Sequence, residues 1–410
     1  MPLNVLIVPD KFKGTLTAAA AAQAIARGWR RARPKDQLEL LPMSDGGDGF
    51  GEVISQLLHA RAQSIKTVDA AHRPCKAAWW WEPESRFAVV ESAKVVGLAM
   101  LPPRAFHPFQ LDTFGLGAVL RAAQSRGARQ ILIGIGGSAT NDGGFGLARA
   151  LGWEFLNRHG QPIHKWTGLE ELTSICPPST GARTAESAQS NFGEHRRAER
   201  RRSAGADMAV RAPGKLGGAS LGQVIVAVDV QNRLLGARGA TRIYGPQKGL
   251  RPADFERAER CLGRLARVVK QQFGEDFAAM PGAGAAGGLG FGLFTFLGAR
   301  VEPGFGLFAR LAKLEARLRP ADLVITGEGA IDHSTLMGKG VGQVARRCQA
   351  MKLPCLGLGG VVAPESRRSR LFTRVAALTD LTDVGQAKSN PAHWLARLAQ
   401  EAADRWSAAD

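Results

Sequence analysis

Short apolar runs recur along this chain, each emptying into a polar, glycine-rich segment and then into residues with helical spacing. Residues 5–8 (VLIV) lead into Pro9-Asp10-Lys11-Phe12-Lys13-Gly14, after which Thr15 or Thr17 caps an Ala-rich helix reaching about Ala32. Residues 38–41 lead into PMSDGGDG (42–49) and a helix over 50–59. The stretch 65–91 alternates as three strands, the last closing at Glu91, and a helix to about Ser125 follows Thr113. Residues 131–135 (ILIGI) empty into GGSATNDGG before a helix over 145–151.

The second half repeats the theme. Residues 224–228 deliver Asp229 and then Asn232, residues 244–249 read as a turn offering Gln247 and Lys248, and a long amphipathic helix covers 251–273. Residues 323–326 end in Gly327-Glu328-Gly329, followed by Asp332, Lys339 and a helix over 341–351. Strands over 355–358 and 375–378 and a helix over 392–406 complete the chain. Strand–loop–helix alternation at this spacing predicts an α/β protein with a parallel sheet at each end of the chain.

In such sheets, ligands collect at the carboxyl ends of the strands, and a glycine-rich loop opening a helix presents N–H groups to anions. The strand ends here carry Asp10, Lys11, Lys13, Asp45, Asp48, Asn141, Asp142, Asp229, Asn232, Lys248, Glu328, Asp332 and Lys339. No His or Cys recurs at metal-ligand or nucleophile spacing, and neither GxSxG nor GxxxxGK[ST] is present. A formal GxGxxG within residues 281–292 follows no strand, so close helix packing or a phosphate-facing turn fits it better than dinucleotide binding. Lysines and N–H groups for phosphate, carboxylates for Mg²⁺ and one carboxylate for a hydroxyl proton are the parts of a kinase outside the Walker class.

At 410 residues and 45% hydrophobic content the chain has room for two domains. A net charge of +18 raises nucleic acid as a partner, but the arginines are scattered along helices without interleaved aromatics, which argues against it. No membrane span is expected, because the uncharged stretch 277–299 is broken by Pro281 and several glycines. The beginning of the chain shows no secretory signal, and five cysteines without a CxxC pair suit reduced thiols in a cytoplasm. Residues 180–218, poor in large apolar side chains and rich in arginine, read as a disordered or loosely ordered surface insertion.

Seven blocks, in order, carry a family resemblance: PDKFKG (9–14), PMSDGGDG (42–49), GIGGSATNDGG (134–144), DVQN (229–232), GPQKG (245–249), PGAGAAGGLG (281–290) and TGEGAID (326–332) with TLMGK (335–339). Together they resemble the bacterial glycerate kinase type-1 family. The resemblance implies Mg²⁺- and ATP-dependent phosphorylation of D-glycerate, at the 2-hydroxyl in preference to the 3-hydroxyl. It also implies a flavodoxin-like domain from residues 1–70 and 286–410, an inserted α/β domain from 71–285, and an active site in the cleft between them. On this reading Gly136, Gly137 and Ser138 cradle phosphate, and Asp142 or Asp229 is the general base. Asp229 and Asp332 are the Mg²⁺ partners, while Lys13 and Lys248 neutralise phosphate or carboxylate. Asp10, Asp45, Thr140, Asn141, Asn232, Gln247, Glu328 and Lys339 complete the substrate and phosphate contacts. The extra segment 180–218, Ala330 where the family often has Arg, and Ser334 where it often has Gln depart from the pattern. The last two keep another small hydroxyacid open as acceptor. Nucleic-acid binding through the insertion is a distant alternative, and a homodimer is compatible with a sequence that carries no signal for oligomeric state.

Overall fold

The computed structural model describes residues 1–178, 215–216, 219–220 and 222–406. A first sheet joins the two ends of the chain. Its strands are β1 (Asn4–Pro9), β2 (Gln37–Leu40), β13 (Leu323–Ile331), β14 (Cys355–Val362) and β15 (Arg374–Ala377). They lie in the order β15-β14-β13-β1-β2, every pairing parallel. Read from β2 across, this is the flavodoxin-like order, whose switch point lies between β1 and β13.

Alternation along β1 explains the two faces. Val5 and Ile7 pack with Ala21, Ile25 and Trp29 of helix Ala18–Ala32 and with Leu395 and Leu398 of helix Pro391–Asp404. Leu6 and Val8 point the other way, toward Phe305 and Phe308 of helix Gly304–Leu311 and Val344 of helix Val341–Ala350. Thr17 caps the first of these helices, its hydroxyl accepting from Ala20 N.

The second sheet contains β3 (Arg61–Val68), β4 (Pro74–Glu82), β5 (Phe87–Glu91), β6 (Gln130–Gly134), β11 (Gln223–Ala227) and β12 (Arg300–Glu302), in the order β12-β11-β6-β5-β4-β3. The β12-β11-β6-β5 portion is parallel and β5-β4-β3 antiparallel, so this sheet is mixed. Trp79 and Trp81 enter the large core on one face, whereas Trp80 turns to the other face and packs with Phe50, Ile54 and Leu307. Helices Phe50–Leu57 and Gly304–Leu311 therefore form the layer between the sheets, each sending residues into both cores.

Several expectations change. Strands β3 and β12 and helix Ala285–Leu297 belong to the second sheet and its core, so the sheets divide at 61 and 302 rather than at 70/71 and 285/286. Residues 244–248 are the end of helix Ala240–Lys248, not a turn. Pro246 is tolerated in its last turn, and Gly249, with φ 105°, stops the helix. Strand β13 continues through Gly327-Glu328-Gly329 because β14 pairs with it as far as Ile331. The pair β7 (Glu154–Asn157) and β8 (Leu172–Cys176), with its bulge, gave only a weak alternation in the sequence. Most of the expected insertion lies outside the described residues. Within it, β9 (Lys215–Leu216) pairs antiparallel with β10 (Ala219–Ser220) just beyond its end.

Candidate active site

At the switch point, β1 leads into Asp10 and β13 runs past Glu328, with the carboxylate of Asp45 within electrostatic reach of both and the ammonium of Lys339 within reach of Asp10; Asp229 is linked to them through Asp45 and Lys339. Burial and the negative charge of Asp45 push Asp10 up to about 7. Glu328 rises to about 8 through burial and the charges of Asp10, Asp332 and Asp45, although the Thr335 hydroxyl donates to its Oε1 at 2.6 Å. Asp229 rises to about 6 through burial and Asp45. Its Oδ1 accepts a long 3.4 Å bond from Phe305 N, and its Oδ2 is buried without a partner. These groups are close enough to raise one another and have few donors to compensate.

Asp332, expected as a metal partner, is engaged otherwise. Its Oδ1 accepts from Ser334 N at 2.8 Å and the Ser334 hydroxyl at 2.7 Å, capping helix His333–Leu336, and these bonds hold its pKa low. Among the described residues no three His, Cys, Asp or Glu side chains form a ready-made metal cage. The free Oδ2 of Asp229 and the mutual repulsion of Asp10, Glu328 and Asp45 nonetheless suit a cation that brings phosphate oxygens to its own coordination shell.

A second polar cluster is built on the loop after β6 and is of opposite character. Asp142 is wholly buried, and its carboxylate accepts from Thr113 N (2.9 Å), Thr113 Oγ1 (2.7 Å), Gly146 N (2.9 Å) and Gly144 N (3.3 Å). Burial and Asp112 push it up to about 6, against those donors. In this arrangement Asp142 ties the loop to the start of helix Phe145–Ala150 and exposes no oxygen to a ligand, which differs from the base role expected of it. Lys248, 6% exposed, donates to Thr140 O at 2.6 Å and Ser138 Oγ at 3.2 Å, and Ser138 Oγ donates to Ala286 O. Burial lowers it to about 7, opposed by Asp142. Asn141 Nδ2 donates to Thr241 Oγ1, while Asn141 Oδ1 and Thr140 Oγ1 are buried without partners.

Glycine lets these pieces meet. A Cβ on Gly287 (φ 71°) would sit 1.9 Å from Thr140 O and 2.8 Å from Lys248 Nζ, so the kinked start of helix Ala285–Leu297 closes directly over the loop. On the other side Gly136 N donates to Gly46 O at 3.3 Å, and a Cβ on Gly136 would lie 2.6 Å from Gly47 Cα. The glycines at 136 and 46–47 therefore serve contact between two backbones, and Gly136 spends its N–H on that contact. This is how the two clusters are joined.

The other expected residues sit around these centres. Lys13, Lys339 and Gln247 are exposed, with Lys339 acting on Asp10, Asp229 and Asp332. Asn232 is tied up: Nδ2 donates to Arg238 O and Oδ1 accepts from Tyr244 OH, both at 2.7 Å. Glu91 was not among the site residues, yet its two oxygens accept from Gly49 N (3.0 Å) and Gly51 N (2.9 Å), fastening β5 to the loop that carries Asp45. Its place at the end of an apolar strand was the available signal.

The geometry can be set against known proteins. The model of the glycerate kinase family matches residues 5–190 and 218–407. The chain belongs to the glycerate kinase family. A glycerate kinase of Halalkalibacterium halodurans is 34% identical, with 87% of this chain and 85% of that one aligned. The glycerate 2-kinase of Escherichia coli K12 is 32% identical over 93% of this chain and 92% of its own. A crystal structure of a provisionally named glycerate kinase 2 from Salmonella typhimurium LT2 superposes with a TM-score of 0.74 at 30% identity, covering 98% of both chains. Family membership makes this chain an ATP-dependent kinase that phosphorylates a hydroxyl acceptor. No described helix is long and apolar enough to cross a membrane.

Proposed function

We propose that the enzyme transfers the γ-phosphoryl group of MgATP to the 2-hydroxyl of D-glycerate, giving 2-phosphoglycerate and ADP. The observation that carries the site assignment is Asp229 Oδ2, a buried carboxylate oxygen with no partner, on a group that shares the charges of Asp45 and Lys339 with Asp10. Asp229 takes the proton of the attacking hydroxyl as the new O–P bond forms and the bond to the β,γ-bridging oxygen breaks. Its elevated pKa, about 6, fits a base working near neutrality. Lys339 faces the carboxylates from the loop after β13 and offsets the charge of the transferring group. Mg²⁺, held by Asp229 and Asp10 together with phosphate oxygens, would neutralise the polyphosphate. Lys248, Ser138, Asn141 and Asp142 fix the loop after β6 against Ala286, Thr241 and Thr113, and Gly136 N, donating to Gly46 O, joins that loop to the one that carries Asp45. The free thiols of all five cysteines agree with work in a reducing cytoplasm.

An ATP-dependent assay with D-glycerate, read through enolase without added mutase, tests this. Signal through enolase is the expected result, whereas ATP consumption without it assigns the 3-hydroxyl. A second acceptor reading rests on Ala330, exposed on β13, and on Ser334, whose hydroxyl turns to Asp332. Faster turnover of another small hydroxyacid in a substrate panel would favour that reading.

A further inference from the structure

Cations that lie scattered along the sequence are gathered by the fold. Helices Ala18–Ala32, Leu314–Leu318 and Val341–Ala350 each lead directly into a parallel strand of the first sheet, namely β2, β13 and β14. All three therefore end at the amino edge of that sheet, and residues 369–373 reach the same edge before β15. Arg30, Arg31 and Lys35 stand there before β2, Arg319 before β13, Lys352 before β14 and Arg370 before β15, all exposed.

None of the six has an ion pair among the described residues, because the neighbouring acids are already engaged. Asp36 accepts from Leu3 N at 3.0 Å, Trp29 Nε1 at 2.9 Å and Arg33 Nε at 2.6 Å, and Asp322 accepts from Asn4 N at 2.8 Å. Glu39 pairs with Arg317, Glu315 with Arg347 and Glu401 with Arg405. Asp404, at the end of helix Pro391–Asp404, is left to oppose the surplus. A helix macrodipole favours a cation at each carboxyl end, yet Lys35 and Arg370 lie outside any helix.

The partner must match that charge without apolar anchors. Met1 and Met351 are the large apolar side chains exposed on this edge among the described residues. A protein partner needs an apolar or aromatic centre, and an interfacial membrane contact needs an apolar face to insert. Four strand spacings carry the cations across roughly 19 Å, a length over which duplex nucleic acid presents about eleven phosphates. Arg30, Arg31, Arg319 and Arg370 also bring the forked donors that suit phosphate oxygens.

We propose that the amino edge of the first sheet is a docking surface for the phosphodiester backbone of nucleic acid, engaged without regard to base sequence. It lies at the opposite end of the strands from Asp10 and Glu328, so docking leaves the catalytic edge open.

Fluorescence anisotropy of the full chain with a labelled duplex of about twenty base pairs, over a salt series, tests it. One variant combines Arg31→Gln, Arg319→Gln and Lys352→Gln. A control of equal net charge combines Arg104→Gln, Arg126→Gln and Arg267→Gln, exposed positions on the half that carries the second sheet. In the edge variant, affinity at low salt should fall at least about tenfold, and the slope of log affinity against log salt should flatten by about 3. The control should bind within about twofold of the parent, and both variants should keep kcat and KM for glycerate. Equal losses in the two variants, or no loss in the edge variant, overturn the assignment by showing that the contact is diffuse or lies elsewhere. A parent that binds vesicles containing phosphatidylserine but no duplex overturns it in favour of a membrane surface, and one that binds neither overturns it outright. None of these failures touches the kinase reading, which turnover measures separately.

Discussion

Asp142, wholly buried, and Asp229, half-buried, both follow parallel strands of the second sheet and are both pushed up to about 6, yet they live in opposite surroundings. Four donors converge on Asp142, each from the loop or helix that it ties down. Asp229 draws only on the backbone N–H groups of Phe305, stretched to 3.4 Å, and Gly304, keeps an oxygen with no hydrogen-bond partner, and has the like charge of Asp45 as neighbour. A saturated carboxylate has spent its hydrogen-bonding capacity on the fold, whereas an under-satisfied one among other carboxylates retains the capacity to take a proton or a cation. Burial alone does not separate scaffold from chemistry; the state of the partners does.

The sharpest break of this comparison is a pair of isosteric amides. Asp229→Asn should lower kcat about 10³-fold while leaving the thermal midpoint nearly unchanged, since the side chain draws only on those two backbone N–H groups. Asp142→Asn should do the reverse. An amide presents one acceptor oxygen in place of two and turns an NH₂ toward N–H donors, at a cost on the order of 3 kcal/mol in stability. Activity per folded molecule should stay within about tenfold of the parent. Denaturant unfolding and kinetics on both variants check this, and an Asp142→Asn enzyme that is stable but inactive would end the distinction.

The sequence made the carboxyl edges of the strands visible, because apolar runs ending in Asp10, Asp45, Asn141-Asp142, Asp229 and Glu328 announce themselves by pattern. Alternation at both ends of the chain announced a parallel sheet there, and the family resemblance implied its flavodoxin-like character. What stayed hidden was the allocation of hydrogen bonds. Nothing in NDGG says that Asp142 will be consumed by Thr113, which comes from a separate loop 29 residues earlier. Nor does a Gly-Pro pair at 245–246 show that a preceding helix continues through it, burying Lys248 against Thr140. That Gly136 lets its loop touch the backbone at 46–47 is a tertiary need that no local pattern encodes. Domain limits were misjudged for the same reason: β3 and β12 are decided by pairing partners, not by composition.

The pH dependence sharpens the contrast on the acidic side. A base must be ionised to act, so kcat/KM should fall as pH drops through about 6, the value to which burial and Asp45 bring Asp229. Asp45→Asn removes the repelling charge and should move that limb to lower pH, by less than about one unit. A limb that stays in place in Asp45→Asn would mean that a different carboxylate accepts the proton.

The last effect lies in the saturated region and concerns Lys248. Burial holds its folded pKa near 7, below the ordinary 10.5, so between those values the unfolded chain binds more protons than the folded one. The penalty that the buried Lys248 imposes on folding is therefore full below about 7 and relieved as pH climbs from 7 toward 10.5, so stability should rise over that window. Lys248→Met abolishes this contribution, so parent minus variant stability should climb by on the order of 3 kcal/mol between pH 7 and 10. Urea unfolding of both proteins at several pH values measures the difference directly. A flat difference would mean that Lys248 keeps its charge inside the fold, balanced by the nearby Asp142. The loop after β6 would then hold a buried ion pair, and its polar groups would be no more settled than those around Asp229.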